Sequence, residues 1–425
     1  MLLVKGGQIY GMAAKERRAT AMTADVLIDD GRIIEISDCV QVTSGMEVID
    51  ASGLIVAPGL VDMHVHFRDP GLVYKEDIFT GAQAAAAGGV TTCACMPNTS
   101  PVADNPEVIK YIIDKGKNAQ IKVLPCGAIT VGQKGRELTD FVALKAAGAV
   151  ALSDDGMPVQ SSELMRRAMQ SAQKNGVLII SHCEDAEMVQ NFAVNEGTVS
   201  RELGIPGRPA IAEEIMVARD AMLAAETGAS VHIAHVSSAR SVEIIRRAKH
   251  EGVAITAETA PQYFALTEKE VLRKGTLARV NPPLRKKDDV GAIIEGLIDG
   301  TLDVIATDHA PHSPAEKSLP LSDALSGMIG LETSLALALT FLYHTGELEL
   351  GEIIKLMSVN PARILGIDAG RLIAGAEADI VIFDPYEEWI VNPEDFKSKA
   401  RNTPFAGMPL RGKVKHTIAR GVRLL

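Results

Sequence analysis

Residues 62–70 read Asp-Met-His-Val-His-Phe-Arg-Asp-Pro and follow the apolar run Leu-Ile-Val-Ala-Pro-Gly-Leu-Val at 54–61. The apolar run predicts a buried parallel strand, so His64 and His66 are expected at its carboxyl end, where barrel enzymes keep their reactive groups. Side chains two positions apart on a strand face the same side, and two such imidazoles can bind one metal ion. Ordinary polar strand histidines share this spacing, so the rest of the chain has to supply further ligands.

The composition is that of a globular protein with a large apolar core. The chain has 425 residues, 47% of them hydrophobic and 23% charged, which suits a large barrel with a smaller accessory unit. The formal net charge of −11 argues against nucleic-acid and anionic-membrane partners, since both are negatively charged. It does not argue against a small anionic substrate that a few local cations hold.

The cysteines and the amino terminus predict a cytoplasmic protein. Five cysteines, odd in number and without a CxxC pair, are typical of reduced core residues. The apolar residues 1–4 run at once into Lys5 and are too few for a secretory signal. No apolar run approaches the roughly 18 residues of a membrane span.

The pattern of strands and helices predicts a (β/α)8 TIM-like barrel with a small second domain. Eight apolar strand-like runs alternate with helical patterns such as 80–87 and 162–175. Both ends of the chain carry short β-like runs, including an Asp30-Gly31 hairpin signal, and are expected to pair into one small β-sandwich. The predicted division is 1–57 and 367–425 for the β domain and 58–366 for the barrel. The eight runs span residues 60–67, 89–97, 121–130, 149–155, 177–185, 231–238, 254–264 and 303–312.

Polar residues that can bind metal stand at the carboxyl ends of five of these strands. A purely structural strand would stay apolar there, and the carboxyl ends of barrel strands meet at one face. Neutral imidazole and carboxylate suit Zn²⁺, and a bridging carboxylate allows two ions to share one water. The residues are His64, His66, Asp154, Asp155, His182, His235 and Asp308.

Four separated motifs resemble the class I bacterial dihydroorotases of the amidohydrolase superfamily. They are the HxH stretch, the run Met-Pro-Asn-Thr at 96–99, the run Asn-Pro-Pro-Leu-Arg at 281–285, and residues 306–317 with Asp308 and His312. The resemblance spans essentially the whole chain and implies the metal-dependent amidohydrolase barrel with its split β domain. One departure is Asp69, where the family often has glutamate, and it leaves the metal ligands untouched.

The resemblance implies a zinc site of two ions. The family's bridging aspartate directly precedes a glycine, here Gly156, which favours Asp155 over Asp154. The sequence does not determine whether one or both ions are bound in the purified protein. The implied ligands are His64, His66 and Asp308 for one ion, His182 and His235 for the other, and Asp155 between them.

The resemblance also implies a reaction and a set of substrate contacts. The reaction is the reversible hydrolysis of (S)-dihydroorotate to N-carbamoyl-L-aspartate in pyrimidine (UMP) synthesis, with Asp308 as the catalytic base and then acid. Arg68 offers the planar fork that suits a carboxylate, although an ion-paired surface arginine has the same sequence signature. The implied substrate contacts are His66, Phe67, Arg68, Asn98, Asn281, His312, Ser326 and Gly327.

Two histidines beside the predicted ligands are expected to point elsewhere. His232 lies three positions before His235, so strand alternation predicts that it faces the opposite side. His309 is expected to face away from its neighbour Asp308.

Two rival interpretations remain at this point. Dihydropyrimidinases, hydantoinases and allantoinases resemble the chain, but they bridge their metals with a carboxylated lysine on the fourth strand. Residues 149–155 contain no lysine, and Lys145 lies in a helical run. A non-catalytic scaffold for aspartate transcarbamoylase would have lost metal ligands, and none is missing. The sequence does not decide between a homodimer and a complex with such a transcarbamoylase.

Overall fold

A computed structural model describes residues 1–10, 21–190 and 192–425. In chain order its strands are β1 Leu2–Tyr10, β2 Ala21–Asp29, β3 Arg32–Ser37, β4 Glu47–Asp50, β5 Ile55–Pro58, β6 Leu60–Val65, β7 Val90–Cys95, β8 Lys122–Pro125, β9 Ile179–Ser181, β10 Val194–Asn195, β11 Gly207–Arg208, β12 Val231–Ile233, β13 Ile255–Thr259, β14 Val304–Ile305, β15 Ile380–Ile390, β16 Pro409–Ala419 and β17 Val422–Arg423. Its α-helices are α1 Ile78–Ala87, α2 Pro106–Gly116, α3 Phe141–Ala147, α4 Ser162–Asn175, α5 Ala186–Val189, α6 Thr198–Leu203, α7 Ile211–Thr227, α8 Ala239–His250, α9 Pro261–Ala265, α10 Glu270–Lys274, α11 Lys287–Ile298, α12 Pro314–Lys317, α13 Ser334–Ala338, α14 Leu350–Ile354 and α15 Asn360–Leu365.

Strands from the two ends of the chain form one hydrogen-bonded sheet. Its order is β17-β16-β15-β5-β1-β2-β3, and β4 also pairs with β1. β5 joins the two ends because it pairs parallel with β1 and antiparallel with β15. The predicted small β domain built from both termini is therefore confirmed. The boundaries 1–57, 58–366 and 367–425 stay predictions.

The predicted hairpin at Asp30-Gly31 is confirmed. β2 and β3 pair antiparallel with Asp29 opposite Arg32, so Asp30 and Gly31 form the two-residue turn. Their φ angles of 45° and 75° are both positive. A type I′ turn requires positive φ at both central positions, and aspartate and glycine tolerate it better than most residues.

The middle of the chain closes into a barrel of eight strand positions. β6, β7 and β8 form one parallel run, and β9, β12, β13 and β14 form another. Leu152 joins the two runs through parallel bridges to Gly127 and Ile179. The ring closes where the His66 N–H donates to the His309 carbonyl oxygen at 2.9 Å. The predicted (β/α)8 barrel is confirmed.

Two predicted strands are shorter than the sequence pattern indicates. The run 149–155 contributes only the bridge residue Leu152, because the chain turns directly afterwards at Gly156, whose φ is 78°. The run 254–264 ends as β13 at Thr259, and Pro261 then begins α9. Proline is favoured in the first turn of a helix, where its missing N–H is not needed.

Apolar side chains fill both the barrel interior and the layer between barrel and helices. The inner cluster includes Met63, Ala94 and Ile180 from different barrel strands. Cys93 and Cys95 belong to the larger outer cluster, as predicted, whereas Cys39 is exposed and departs from the expectation that the cysteines are core residues. Within the described ranges, no helix combines the length and the apolar character needed to cross a membrane.

Candidate active site

All six predicted metal ligands meet at the carboxyl end of the barrel, although they are far apart in sequence. Two lie on or directly after β6, one follows the bridge residue Leu152, and one each follows β9, β12 and β14. Each side chain is buried, with at most 7% of the residue exposed. The residues are His64, His66, Asp155, His182, His235 and Asp308.

The candidate ligand atoms form two groups, and the first contains atoms of His64, His66, Asp155 and Asp308. His64 Nε2 lies 3.4 Å from Asp155 Oδ1, and His66 Nε2 lies 3.4 Å from Asp155 Oδ2. Asp308 Oδ1 completes the group, at 3.1 Å from His66 Nε2 and 3.7 Å from His64 Nε2. Two imidazoles and two carboxylates thus face one point.

A second group shares Asp155 with the first. Its Oδ1 atom lies 3.4 Å from both His182 Nδ1 and His235 Nε2. These two nitrogens are 2.7 Å apart. Asp155 therefore stands between the two groups, and its role as a bridging ligand stays a prediction.

The donor set fits metal ions. His64 Nε2 and Asp155 Oδ1 are buried, and neither has a hydrogen-bond partner among the described residues. An unpartnered buried polar atom costs about 1–3 kcal/mol, so such atoms call for a ligand. Donors placed about 2.0–2.1 Å from a tetrahedral zinc ion lie about 3.3 Å from one another, close to the 3.4 Å spacings here. Each group could therefore hold one ion.

Neighbouring imidazoles keep Asp155 ionised. Burial disfavours the charge on Asp155, but His64 and the contacts with His182 and His235 outweigh it and hold the pKa of Asp155 well below 3.8. Burial also disfavours charge on His64, yet Asp155 and Glu258 raise the pKa of His64 well above 6.5. Asp155 is thus a carboxylate at neutral pH, the form that binds metal.

Glu258 on β13 is a site residue that the sequence analysis missed. Its Oε1 atom lies 2.6 Å from His64 Nδ1, and its Oε2 atom lies 3.3 Å from His232 Nε2. A carboxylate on the far nitrogen of a ligand histidine fixes the ring and makes its other nitrogen a better ligand. A charged residue inside the predicted buried strand 254–264 was the available signal.

The expectation that His232 faces away from His235 is wrong. Both imidazoles point into the barrel, since His232 contacts Glu258 and His235 lies beside Asp155. The backbone explains the difference, because His235 has a φ of 34° and no longer follows strand alternation. His309 does face away from Asp308, and its Nδ1 accepts a hydrogen bond from the Gly330 N–H.

Three site residues hold a backbone conformation that non-glycine residues rarely adopt. The φ angles are 60° at Arg68, 34° at His235 and 49° at Asp308. Each such residue costs on the order of 1–3 kcal/mol, which surrounding contacts must offset. Asp62 supplies part of that support, because its carboxylate accepts from the backbone N–H groups of His64 and Thr307.

Asp154 and Asp155 lie in different surroundings. The Asp154 carboxylate accepts hydrogen bonds from the Ile129 and Thr130 N–H groups and from the Thr130 hydroxyl. It therefore anchors the preceding loop. Asp155, in contrast, belongs to the two groups of candidate metal ligands, which we call the metal groups. Lys145 lies on α3 and donates to backbone carbonyls at the end of α4, so it does not lie between the two groups of candidate ligands.

A cavity of about 200 Å³ opens onto the metal groups and contains a buried arginine. Arg68 is only 8% exposed, and the one hydrogen bond of its side chain to the described residues runs from Nε to the Pro311 carbonyl oxygen at 3.4 Å. No carboxylate of the described chain lies within 4 Å of its guanidinium. Burial lowers the pKa of Arg68, but arginine still carries its charge. The cavity thus contains an unpaired cation.

Other predicted substrate contacts line the same cavity. Asn98 accepts from His66 Nδ1 through Oδ1 at 2.8 Å, which leaves its N–H groups for a ligand. The His312 Nε2–H donates to the Ser326 carbonyl oxygen at 2.8 Å, and burial together with Arg68 lowers the pKa of His312 to about 3. His312 is therefore a neutral imidazole. Asn281 also lines the cavity.

The loop with Ser326 and Gly327 forms one wall of the cavity. Gly327 has a φ of 133°, and a Cβ atom there would lie 2.7 Å from the Ala310 Cβ, so only glycine fits. Phe67 is placed differently from the other predicted contacts. Its ring packs against Gly81 in the apolar core, so only the Phe67 backbone is available to a ligand.

Curated relatives share the whole length of this chain. The dihydroorotase of Citrifermentans bemidjiense is 51% identical over 421 residues, covering 99% of this chain and 98% of that protein. The dihydroorotase of Acetivibrio thermocellus is 49% identical with the same coverage. A family model described as Dihydro-orotase-like matches residues 53–241.

Solved structures with the same architecture are cyclic-amide hydrolases. The L-hydantoinase (dihydropyrimidinase) from Arthrobacter aurescens has a TM-score of 0.89 and 27% identity, covering 99% of this chain and 95% of that one. The D-hydantoinase from Bacillus sp. AR9 has a TM-score of 0.87 and 26% identity, covering 100% and 95%. The barrel with its terminal β domain is the fold of these hydrolases, and the identity of about half the residues with the curated relatives is decisive: this chain belongs to the dihydroorotase family.

Proposed function

We propose that this protein hydrolyses the ring amide of (S)-dihydroorotate to N-carbamoyl-L-aspartate and catalyses the reverse ring closure. The observation that carries the proposal is the unpaired, buried guanidinium of Arg68 in the same cavity as the two histidine–aspartate groups. A buried arginine without a carboxylate partner is complementary to an anionic substrate. Dihydroorotate carries a carboxylate on its ring, and neutral cyclic amides do not.

The two ligand groups support a site of two zinc ions. His64, His66 and Asp308 would hold one ion, His182 and His235 the other, and Asp155 would bridge them. Imidazole and carboxylate donors suit zinc. When bound, zinc would polarise the ring carbonyl and lower the pKa of the attacking water.

The protein's own side chains would move the proton and orient the substrate. Asp308 is the proposed base that takes the proton of the attacking water and then gives it to the leaving ring nitrogen. Arg68 would bind the substrate carboxylate, with Asn98 and His312 beside it. Asn281, the backbone at Phe67 and the Ser326-Gly327 loop would contact the ring. Because the carboxylate is bound at a distance from the reacting amide, the ring is held in one orientation toward the attacking water. Such orientation can supply a large part of the reduction in activation free energy.

The same observations separate this activity from that of a hydantoinase. Asp155 lies at the position between the two groups, and Lys145 is occupied elsewhere. A cation in the cavity favours an anionic ring over dihydrouracil, which has the same ring without the carboxylate. A non-catalytic scaffold is disfavoured because the ligand set is complete.

The test is a parallel assay of the purified protein with dihydroorotate and dihydrouracil, together with elemental analysis. We expect about two zinc ions per chain and a clear preference for dihydroorotate in kcat/KM. A preference for dihydrouracil would refute the proposal in favour of a hydantoinase. Absence of bound metal together with absence of hydrolysis would favour the scaffold. Homodimer formation, association with an aspartate transcarbamoylase and a cytoplasmic location stay predictions from the sequence.

A further inference from the structure

A buried ion pair lies just outside the substrate cavity. Arg208 on β11 donates from Nη1 to Glu184 Oε1 at 2.8 Å, and the two side chains are 9% and 15% exposed. Arg208 also donates from Nε to the Phe192 carbonyl oxygen. Both charged residues line a second cavity of about 960 Å³, whereas neither lines the cavity with the metal groups. Neither charged group lines the substrate cavity, although Glu184 Oε2 lies 3.7 Å from His182 Nε2 at its wall.

Asn281 connects this ion pair to the substrate cavity, because it lines both cavities. Its Oδ1 atom accepts from Arg208 Nη1, and its Nδ2 atom donates to Glu184 Oε2 at 3.3 Å. If the carboxamide were flipped, its N–H group would face the N–H of Arg208, and its oxygen would face the carboxylate oxygen of Glu184. The pair therefore permits one orientation of the amide. The second N–H of Nδ2 points to the side of the cavity, where its partner is His182 Nε2 at 3.4 Å. A substrate oxygen at a shorter distance would replace this long hydrogen bond.

The segment that carries Asn281 is tied to Arg208 a second time. Arg285, four residues later, donates from Nη1 to the Arg208 carbonyl oxygen at 3.4 Å. Arg285 is itself fixed by Asn195 at 2.9 Å and by Glu213 at 3.4 Å. The side chain and the backbone of Arg208 thus fix both ends of the segment 281–285.

We propose that Arg208 is a positioning residue that, together with Glu184, orients the Asn281 carboxamide so that it presents an N–H donor to a ring carbonyl oxygen of the substrate. This inference rests on the proposed function for the identity of the substrate. The ring of dihydroorotate offers carbonyl oxygens as acceptors, which a fixed N–H donor can recognise. Arg208 acts only through Asn281, because it does not reach the substrate cavity itself.

A double-mutant cycle with dihydroorotate tests the proposal. The variants are Asn281→Ala, Arg208→Met, the double variant, and Arg201→Met as a matched control at an exposed arginine of α6. Loss of an orienting charged hydrogen bond should lower kcat/KM for Arg208→Met about tenfold to a hundredfold, mainly through KM. Since Arg208 acts through Asn281, the double variant should stay within about twofold of Asn281→Ala. Arg201→Met should match the parent enzyme.

Three results would overturn the proposal. One is a double variant whose loss is the product of the two single losses. Another is a loss of bound zinc in Arg208→Met that accounts for its lost activity, since Arg208 would then support His182. The third is a crystal structure of Arg208→Met in which the Asn281 carboxamide keeps its orientation, a readout that does not depend on activity.

Two further arrangements keep the test decisive. If Arg208→Met does not fold because Glu184 is left unpaired, the cycle is repeated with Glu184→Gln/Arg208→Met in place of the single change. Arg208→Lys, which keeps the charge but not the fork, should recover part of the lost activity.

If the parent enzyme does not hydrolyse dihydroorotate, the proposed function fails. The cycle is then run on the cyclic amide that the enzyme does hydrolyse, and additive losses would again refute the role of Arg208.

Discussion

Replacing Arg68 by methionine isolates the recognition of the substrate carboxylate from the metal chemistry. Methionine keeps most of the side-chain length and removes the charged fork. Arg68 is 8% exposed, and its guanidinium makes a single 3.4 Å hydrogen bond to the described residues, so its other N–H groups are free to pair with a carboxylate. Charged hydrogen bonds contribute about 1.5–3 kcal/mol each. We therefore expect a loss of about 2–4 kcal/mol of transition-state binding, or roughly 30- to 1,000-fold in kcat/KM for dihydroorotate.

The assay compares two substrates in three proteins: the parent enzyme, Arg68→Met and the exposed control Arg201→Met. Dihydrouracil lacks the carboxylate, so its poor hydrolysis should change by less than about threefold in Arg68→Met. Zinc content is measured in parallel and should stay constant. Equal losses for both substrates would refute the reasoning, because Arg68 would then support the fold or the metal groups and would not select an anion.

Other predictions concern the metal groups and the proton. Asp155→Ala should lose zinc and activity together, whereas Asp154→Ala, which affects only the loop anchored at Thr130, should keep most of its zinc; the reverse pattern in elemental analysis would exchange the two roles. Asp308→Asn should lower kcat in both directions by about two orders of magnitude at matched zinc content, and near-normal turnover would remove Asp308 from proton transfer. Glu258→Gln should weaken zinc affinity about 10- to 100-fold in competition with a chelator, and an unchanged affinity would show that the carboxylate is dispensable.

Local patterns predicted most of the fold and the ligands. The alternation of apolar runs and helical patterns is enough for the barrel, and the Asp30-Gly31 turn is set by the φ preferences of two adjacent residues. The order of strand ends placed His64 beside Asp308, because parallel barrel strands end at one face. The resemblance to a family then selected Asp155 over its neighbour.

The residues around the ligands could not be predicted from local patterns. Glu258 meets His64 across 194 residues, so no spacing in the sequence relates them. The position of His232 was predicted wrongly, because strand alternation fails where the backbone turns at His235. A positive φ at a histidine is not encoded by the residue itself; it exists because the surrounding contacts hold it.

Residue type, periodicity and motif are enough to predict the architecture, the candidate metal ligands and the family. Contacts between distant segments set which polar groups are paired and which are free. Among the described residues Arg68 has no carboxylate partner, whereas Arg208 has Glu184 and Asn281. Both are buried arginines, and the difference between an unpaired cation and a paired one arises only from contacts between distant segments.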